Sequence, residues 1–330
     1  MIHTGVGSWP GVDMAAAVRL TLGELLDEAY LPELPARGPG AAIIGRTCGM
    51  LTGLSVDLQP QGWRLIEGTG LAQRRARRLL RDDLDLLEEH GQGYQGRLRV
   101  TLAGPLTLAA SVELPRGGAA LRDRGATRDL RDAQAEAAVW LAGEATRRLP
   151  AAEVLVQVDE PMLGAVRRGS VPTASGLNRL PAWDDQDVSA HLAPVRQRLA
   201  GAGLGAGRTL VHSCAPDPGV AAILAAGFDG VGLDAGLIDN PDEIGVALET
   251  GHVLHLGVAP TFPVDRVPRV DDLVRTALGV LRPLELGPAV TDRVVLAPAC
   301  GLAGWRTGPA TELLRRLGRA VPLIVEELSR

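Results

Sequence analysis

The stretch TLVHSCAPDPGVAAILAAGFDGVGLD, residues 209–234, contains the unit on which the fold prediction rests. Its two ends, Thr209–Ser213 and Gly230–Asp234, are short and mainly apolar runs, which is typical of buried strands. The longer segment between them has the apolar spacing of a helix. A strand, a helix and a second strand in this order are the building unit of α/β folds with a parallel sheet.

The same alternation extends over nearly the whole chain. Helical segments such as Leu71–Leu87 and Pro309–Leu328 lie between further apolar runs. The other predicted strands are Gly5–Trp9, Tyr30–Leu34, Leu98–Ala103, Val154–Asp159, Val253–Val258 and Arg293–Ala297. Eight strands alternating with helices are what a closed (β/α)8 barrel needs, although an open doubly wound sheet shows the same alternation. We therefore predict one α/β domain, residues 1–330, folded as a single TIM barrel.

One connection between the predicted elements stands out by its length. Arg167–Asp185 follows the fourth predicted strand and has no clear period. Its polar, glycine-containing composition predicts a mobile lid. We find no repeat of fixed period, no linker and no break in composition that would divide the chain.

The composition excludes several classes of protein. Of the 330 residues, 46% are hydrophobic, which is enough for a large core. The net charge of −5 is modest and mixed along the chain, so we expect no nucleic-acid partner. All basic residues are arginines, which excludes a catalytic lysine. Neither a signal peptide nor an apolar run long enough for a bilayer is visible, so we expect a cytoplasmic protein without a membrane partner.

Two of the three cysteines, together with a histidine, have the pattern of a metal site. His212 and Cys214 lie two residues apart at the end of a predicted strand, where both side chains point to the same side. Cys300 follows another predicted strand, and the carboxyl ends of barrel strands meet at one mouth. Imidazole and thiolate are ligands that suit Zn²⁺. The alternative is that His212 is hydrogen-bonded in the core and the cysteines are small buried residues.

Five segments resemble motifs of the C-terminal catalytic domain of cobalamin-independent methionine synthase. TGVGSWP at residues 4–10 resembles the family's TxIGSFP, and LAGPLT at 102–107 resembles LTGPVT. VQVDEP at 156–161 resembles IQIDEP, VHSC at 211–214 resembles THMC, and PACGL at 298–302 resembles PDCGL. The resemblance implies a TIM barrel of the methionine synthase and uroporphyrinogen decarboxylase-like type. Uroporphyrinogen decarboxylase has no such zinc ligands, so methionine synthase is favoured.

The resemblance also implies a zinc ion as cofactor and names its ligands. His212, Cys214 and Cys300 match three zinc ligands of the family. The family's fourth ligand is a glutamate after the sixth strand, and Asp234 occupies that place here. An aspartate is one methylene shorter, but its carboxylate oxygen is an acceptable zinc ligand. We expect zinc to deprotonate a substrate thiol, because the thiolate is the nucleophile.

The matched segments imply that the thiol is homocysteine and that methyl transfer gives methionine. Val6, Gly7 and Ser8 match the segment that holds homocysteine through backbone and hydroxyl groups. Asp159 matches an acid that binds the ammonium group of the substrate, and Glu33 is the candidate for a second such acid. The alternative for Asp159 is that it caps the following loop. Its neighbour Glu160 is expected to point the opposite way and to make a structural hydrogen bond.

The part of the family pattern that binds folate is not retained. Ser111 stands where the family has a tryptophan that stacks on the folate donor, and Gly257–Pro260 lacks the histidine of the family's DIHSP segment. Short, single-barrel relatives are associated with methyl groups carried on a corrinoid. We therefore expect methylcobalamin or a corrinoid protein, rather than methyltetrahydrofolate, as the methyl donor.

Two other functions remain open at this point. Epoxyalkane:coenzyme M transferase resembles the same family, and its thiol carries a sulfonate, for which Arg167 and Arg168 are candidates. These arginines are better explained as solvated loop charges, and Asp159 favours a substrate with an ammonium group. A non-catalytic protein that binds zinc or a thiol is the third interpretation, and it predicts a closed metal site.

Overall fold

Eight parallel strands form one sheet that curls into a barrel. A computed structural model describes residues 1–262 and 266–330. In chain order the strands are β1 (Ile2–His3), β2 (Glu28–Tyr30), β3 (Val56–Gln59), β4 (Gly62–Leu65), β5 (Arg97–Ala103), β6 (Glu153–Asp159), β7 (Thr209–Ser213), β8 (Gly230–Asp234), β9 (Val253–Ala259) and β10 (Val294–Pro298). Strands β3 and β4 make a separate antiparallel hairpin. The barrel strands follow the order β1-β10-β9-β8-β7-β6-β5-β2, with every neighbouring pair parallel.

The gap between the first and last strand of this order is closed just beyond their ends. Ser8 and Glu33 form an isolated parallel bridge. Trp9 N donates to Glu33 O at 2.8 Å, and Glu33 N donates to Gly7 O at 3.0 Å. The predicted (β/α)8 barrel is thereby confirmed, and its closure brings the segments of Ser8 and Glu33 together.

Helices alternate with the barrel strands. They are α1 (Met14–Glu24), α2 (Ile43–Met50), α3 (Leu71–Gly91), α4 (Pro105–Ser111), α5 (Arg124–Arg148), α6 (Leu163–Arg167), α7 (Asp185–Gly201), α8 (Val220–Ala225), α9 (Pro241–Glu249), α10 (Val270–Leu281) and α11 (Thr307–Leu328). In α3, Ala76, Leu80, Leu84 and Leu87 recur at helical spacing and are buried. This spacing explains why the segment forms a helix and which face it turns to the core. Among the helices of the described residues, none has the length and apolar character required to cross a bilayer.

The first predicted strand is not a strand, the second, Tyr30–Leu34, shares only Tyr30 with β2, and the other predicted strands agree with the structure. Thr209–Ser213 and Gly230–Asp234 have the predicted bounds, and the other five after the first differ by one to four residues at an end. Gly5–Trp9 lies beyond β1 and is not a strand. The carbonyl oxygen of Gly5 accepts a hydrogen bond from the Arg99 side chain instead of from a neighbouring strand.

The predicted long connection after the fourth strand is present but is shorter than expected. Helix α6 includes Arg167, and α7 begins at Asp185. Between them a bridge joins Pro172 to Arg179, and Thr173 N donates to Asn178 O at 2.9 Å. These contacts form a compact turn. A lid function for this segment stays a prediction.

Candidate metal centre

Three potential metal ligands meet at the carboxyl ends of β7 and β10. His212 lies in β7, where it pairs with Asp159 of β6 and Gly232 of β8. Cys214 directly follows β7, and Cys300 lies two residues beyond the end of β10. The barrel places these ends at one mouth, which is why residues 86 positions apart in the sequence come into contact.

The ligand atoms of His212, Cys214 and Cys300 all lie within 4.8 Å of one another. The two sulfur atoms are 3.1 Å apart, and both cysteines are free thiols. In residues 1–262 and 266–330, no other group of three or more His, Cys, Asp or Glu residues comes as close together. A tetrahedral zinc ion with two thiolates separates the sulfurs by about 3.8 Å, so a shift of less than about 1 Å would accommodate the ion. The donor set therefore fits a metal ion such as zinc.

Asp159 holds the ring of His212 from the side away from the sulfurs. His212 Nδ1 lies 3.0 Å from Asp159 Oδ1, and Nε2 lies 3.2 Å from Ala299 O. Both the histidine and the aspartate are buried. Gln157, two residues earlier on β6, donates from Nε2 to Asp159 Oδ1 at 2.7 Å. A carboxylate on Nδ1 fixes the orientation of the ring, and Nε2 would have to give up its contact with Ala299 O to become the ligand atom.

The cluster is strongly polarised without a metal. Burial lowers the pKa of His212, but the hydrogen bond to Asp159 and the nearby Cys300 outweigh it and raise the pKa to about 9. The hydrogen bond from the Cys214 thiol lowers the pKa of Cys300 to about 6, against the effect of burial. The same hydrogen bond raises the pKa of Cys214 far above its ordinary value. The opposite pKa shifts arise because the two cysteines share one proton more readily than each keeps its own, and metal binding would displace that proton.

Asp234, the predicted fourth ligand, is not part of the cluster. Its Oδ1 accepts a hydrogen bond from Gly236 N at 2.9 Å, so the carboxylate caps the turn that follows β8. The three residues that converge are His212, Cys214 and Cys300. Asp234 lies outside this group in the present arrangement, and its ligation of a metal stays a prediction.

The predicted thiol-binding residues lie beside the cluster. A Cβ atom on Gly301 would be only 1.9 Å from Ser8 Oγ, which places Ser8 directly against the residue after Cys300. Glu33, joined to Ser8 by the closing bridge, is only 3% exposed. Its Oε1 accepts from Thr101 Oγ1 at 2.7 Å. Burial raises the pKa of Glu33 to about 7, with Asp159 and Cys300 close enough to add to the effect.

Glu160 points away from the cluster, in agreement with the alternation along a strand. Its carboxylate accepts hydrogen bonds from Leu106 N at 2.9 Å and from Thr107 N and Oγ1 at 2.7 and 2.6 Å. These donors lie in the first turn of α4, so Glu160 caps that helix. Burial raises the pKa of Glu160 to about 7. The expected structural hydrogen bond is present, and it positions the helix that follows β5.

Sequence reasoning missed a buried charged layer inside the barrel. Arg99 of β5 is fully buried and donates from Nη1 to Glu28 Oε1 at 2.6 Å and to His255 Nδ1 at 2.9 Å. Burial and the charge of Arg99 lower the pKa of His255 well below its ordinary value, so this histidine is a neutral acceptor. The available signal was an arginine and a glutamate within otherwise buried strands, which requires a partner for each.

Comparison with known proteins identifies a solved structure with a similar fold but no relative by sequence. No protein-family model matches this chain, and no curated protein matches it. It is similar to the structure of a B12-independent methionine synthase from Shewanella sp. W3-18-1 in complex with selenomethionine. The TM-score is 0.58 at 12% identity, covering 99% of this chain and 98% of that chain. A dihydropteroate synthase from Coxiella burnetii in complex with pteroic acid has a TM-score of 0.35 at 9% identity, covering 98% of this chain and 94% of that chain, which is too low to support a conclusion. The first similarity shows that this chain has the fold of that synthase.

Proposed function

We propose that this chain is a zinc-dependent methyltransferase of the methionine synthase family, which transfers a methyl group to the thiol of homocysteine and gives methionine. The observation that carries the proposal is the convergence of His212, Cys214 and Cys300 at the barrel mouth. The fold shared with a B12-independent methionine synthase supports it. The motif resemblance supplies the substrate, because the segments that match thiol-binding residues flank this cluster.

The three ligands leave one position of a tetrahedral zinc site for the substrate. A bound zinc ion would lower the pKa of the homocysteine thiol and keep its sulfur anionic. His212 and the two cysteines would hold the ion, and Asp159 would keep the imidazole in the orientation that ligation needs. Cys214 and Cys300 are partly exposed, so the site is open to a substrate from the barrel mouth.

The amino-acid end of homocysteine would be held by the two buried acids. Asp159 uses Oδ1 for Gln157 and His212, and Glu33 uses Oε1 for Thr101. No hydrogen bond within residues 1–262 and 266–330 engages Asp159 Oδ2 or Glu33 Oε2, so each acid has an oxygen left for an ammonium group. Arg46 Nη1 lies 3.9 Å from Glu33 Oε1 and offsets part of the negative charge of the two acids, so an ammonium group would bind at the remaining oxygens. Ser8 would orient the carboxylate end through its hydroxyl and the backbone of residues 6–8.

The methyl donor is proposed to be methylcobalamin or a corrinoid protein. Ser111 ends the short helix α4, where the resembling family carries the tryptophan that stacks on folate. Gly257 lies in β9, where a Cβ would come within 2.4 Å of Ala299 Cα, so the backbone leaves no room there for a side chain. The absence of the stacking tryptophan and of the histidine in the resembling segments supports a donor other than folate.

The contacts of Arg167 and Arg168 argue against a sulfonate-bearing thiol. Arg167 donates to Asp185 Oδ1 from Nε at 3.0 Å and from Nη2 at 2.6 Å, and it also pairs with Asp217. Arg168 Nη1 donates to Pro216 O at 2.6 Å. Because Arg167 is already paired with two acids, only Arg168, which is exposed and donates to a carbonyl group, could serve a sulfonate among these candidates.

Zinc X-ray absorption on the purified protein, with and without homocysteine, tests the proposal. We expect two sulfur ligands in the free protein and three after homocysteine is added. Purified protein that does not bind zinc contradicts the proposal. A sulfur count that stays at two with homocysteine present contradicts substrate binding to zinc and favours the non-catalytic zinc protein. Where three sulfurs are found, methyl transfer from methylcobalamin and from methyltetrahydrofolate is compared by measuring methionine.

A further inference from the structure

Gln157 occupies a central position between the predicted substrate segment and the candidate metal ligands. It is 2% exposed and lies on the inner face of β6, one layer below Asp159. Its Nε2 donates to Asp159 Oδ1 at 2.7 Å and to Val6 O at 3.2 Å. One amide group therefore contacts both Asp159, which holds His212, and the backbone of Val6, which belongs to the segment matched to homocysteine binding.

The orientation of this amide follows from its partners. A carboxylate oxygen and a carbonyl oxygen are both acceptors, so the nitrogen and not the oxygen of the side chain must face them. No other uncharged side chain of this length supplies two N–H donors. A glutamate in the same place would set a second carboxylate against Asp159 and Val6 O, and a methionine would leave both acceptors without their donor.

The hydrogen bonds continue from Gln157 to the candidate ligands without a gap. Asp159 Oδ1, which accepts from Gln157, also lies 3.0 Å from His212 Nδ1. The far side of the ring, Nε2, lies 3.2 Å from the carbonyl of Ala299, the residue before Cys300. A displaced Asp159 would allow the imidazole to rotate, and the ring would then no longer be held in one orientation beside the two cysteines. Partners of ligating histidines typically contribute about 10- to 100-fold in metal affinity.

We propose that Gln157 is a positioning residue that couples zinc binding to thiol binding, an inference that rests on the proposed function. Its hydrogen bond to Asp159 holds His212 ready for the metal. Its hydrogen bond to Val6 O holds the segment of residues 6–8 at a constant distance from that metal. Gln157 contacts neither the zinc ion nor the reacting sulfur.

The test measures the zinc dissociation constant of the parent protein, Gln157→Met and Gln157→Glu by competition with a chromophoric chelator. We expect zinc affinity to fall about 10-fold in Gln157→Met and further in Gln157→Glu. At saturating zinc, the homocysteine dissociation constant is expected to rise by about 10-fold in Gln157→Met. Gln157→Glu has the same length as the natural residue, so it keeps the test possible if the methionine variant does not fold.

Gln73→Met is the matched control. Gln73 is also a buried glutamine, and its Nε2 donates to the carbonyl oxygens of Cys48, Leu51 and Leu54, outside the cluster. We expect this variant to lose stability but to keep both dissociation constants within about twofold. Zinc affinity that changes no more in the Gln157 variants than in Gln73→Met overturns the inference and leaves the proposed function intact. A parent protein that binds no zinc overturns both.

Discussion

Cys300 supplies one of the two thiols of the cluster, and its replacement tests whether the cluster holds a metal. In Cys300→Ser a hydroxyl replaces the thiolate, which is the softer and better zinc ligand. We expect the zinc affinity to fall on the order of 100-fold or more. Zinc content after dialysis and competition with a chelator measure the loss.

Cys48→Ala is the control for this substitution. Cys48 is fully buried in α2 and belongs to no metal-ligand group within the described residues. Its thiol contributes only to packing, so zinc affinity should stay unchanged although stability decreases. A Cys300→Ser protein that retains the zinc affinity of the parent would exclude the cluster as the metal site.

Glu33 predicts how homocysteine binding depends on pH. Because burial raises its pKa to about 7, Glu33 is increasingly protonated as the pH falls through 7 and then no longer attracts an ammonium group. At saturating zinc, we expect homocysteine affinity to decrease below this pH. Calorimetric titration at several pH values measures the effect. Thiolate binding to zinc releases a proton and weakens at low pH in every variant, so Glu33→Gln should bind weakly and show a shallower pH dependence than the parent.

The same pKa shift has a second consequence for Glu33, in protein stability. Since the folded-state pKa lies above the ordinary value of 4.5, the folded protein binds the proton more tightly than the unfolded chain. The free energy of unfolding contributed by Glu33 therefore decreases as the pH rises from about 4.5 to about 7. Glu33→Gln should remove this part of the decrease. Equal pH profiles for parent and variant, in binding and in unfolding, would contradict the assignment.

At the scale of elements, β9 and β10 approach so closely that only glycine fits at position 257. A Cβ atom there would lie 2.4 Å from Ala299 Cα and 2.8 Å from Leu233 O. Both are backbone atoms, so no side chain can move aside. We expect Gly257→Ala to lower the free energy of unfolding by about 2–3 kcal/mol. It should also weaken zinc binding, because Ala299 directly precedes Cys300. Chemical denaturation and chelator competition measure the two effects.

Gly279→Ala in α10 is the control for this substitution, because position 279 has room for a side chain. A Cβ on Gly279 meets no atom within 4 Å, and the residue lies inside the helix. Alanine is the better helix former, so we expect the variant to gain about 0.5–1 kcal/mol of stability with unchanged zinc affinity. If Gly257→Ala retains as much stability as Gly279→Ala, the prediction that the backbone leaves no room for a side chain at position 257 is wrong.

At the scale of the whole molecule, Arg99 pairs with Glu28 on the neighbouring strand β2 and reaches across the barrel interior to His255 on β9. The side chains of Arg99 and Glu28 are fully buried. Arg99→Met leaves a buried carboxyl group without its main partner, so we expect a loss of about 3–5 kcal/mol in the free energy of unfolding. The double variant Arg99→Met with Glu28→Gln should lose less, because the unpaired charge is removed as well. Urea denaturation measures the four proteins of this cycle.

An exposed ion pair provides the comparison for this cycle. Arg128 and Asp129 are 3.5 Å apart, with side chains 64% and 56% exposed. Arg128→Met should change the free energy of unfolding by less than about 0.5 kcal/mol. Losses of similar size for Arg99→Met and Arg128→Met would mean that the interior pair does not hold the barrel together.

The alternation of strands and helices determined the architecture before any coordinate was known. A short apolar run such as Thr209–Ser213 indicates a buried strand from its own residues alone. The number of such runs, and their alternation with helices, predict a parallel barrel. The His-x-Cys pair is also local, because residues two apart on a strand share a face. Cys300 could be added because barrel strands end at one mouth. For these features, the information lies within a few neighbouring residues or in a general property of the fold.

Tertiary structure alone decided the contacts across the barrel. Three contacts join segments far apart in the sequence: the bridge of Ser8 to Glu33, the hydrogen bond of Gln157 to Val6, and the pairing of Arg99 with Glu28. Which residues meet depends on strand register, tilt and side-chain length, and periodicity carries no information on these quantities. The same limit explains Asp234: its position matched the family's glutamate, but its short carboxylate binds the turn of its own segment.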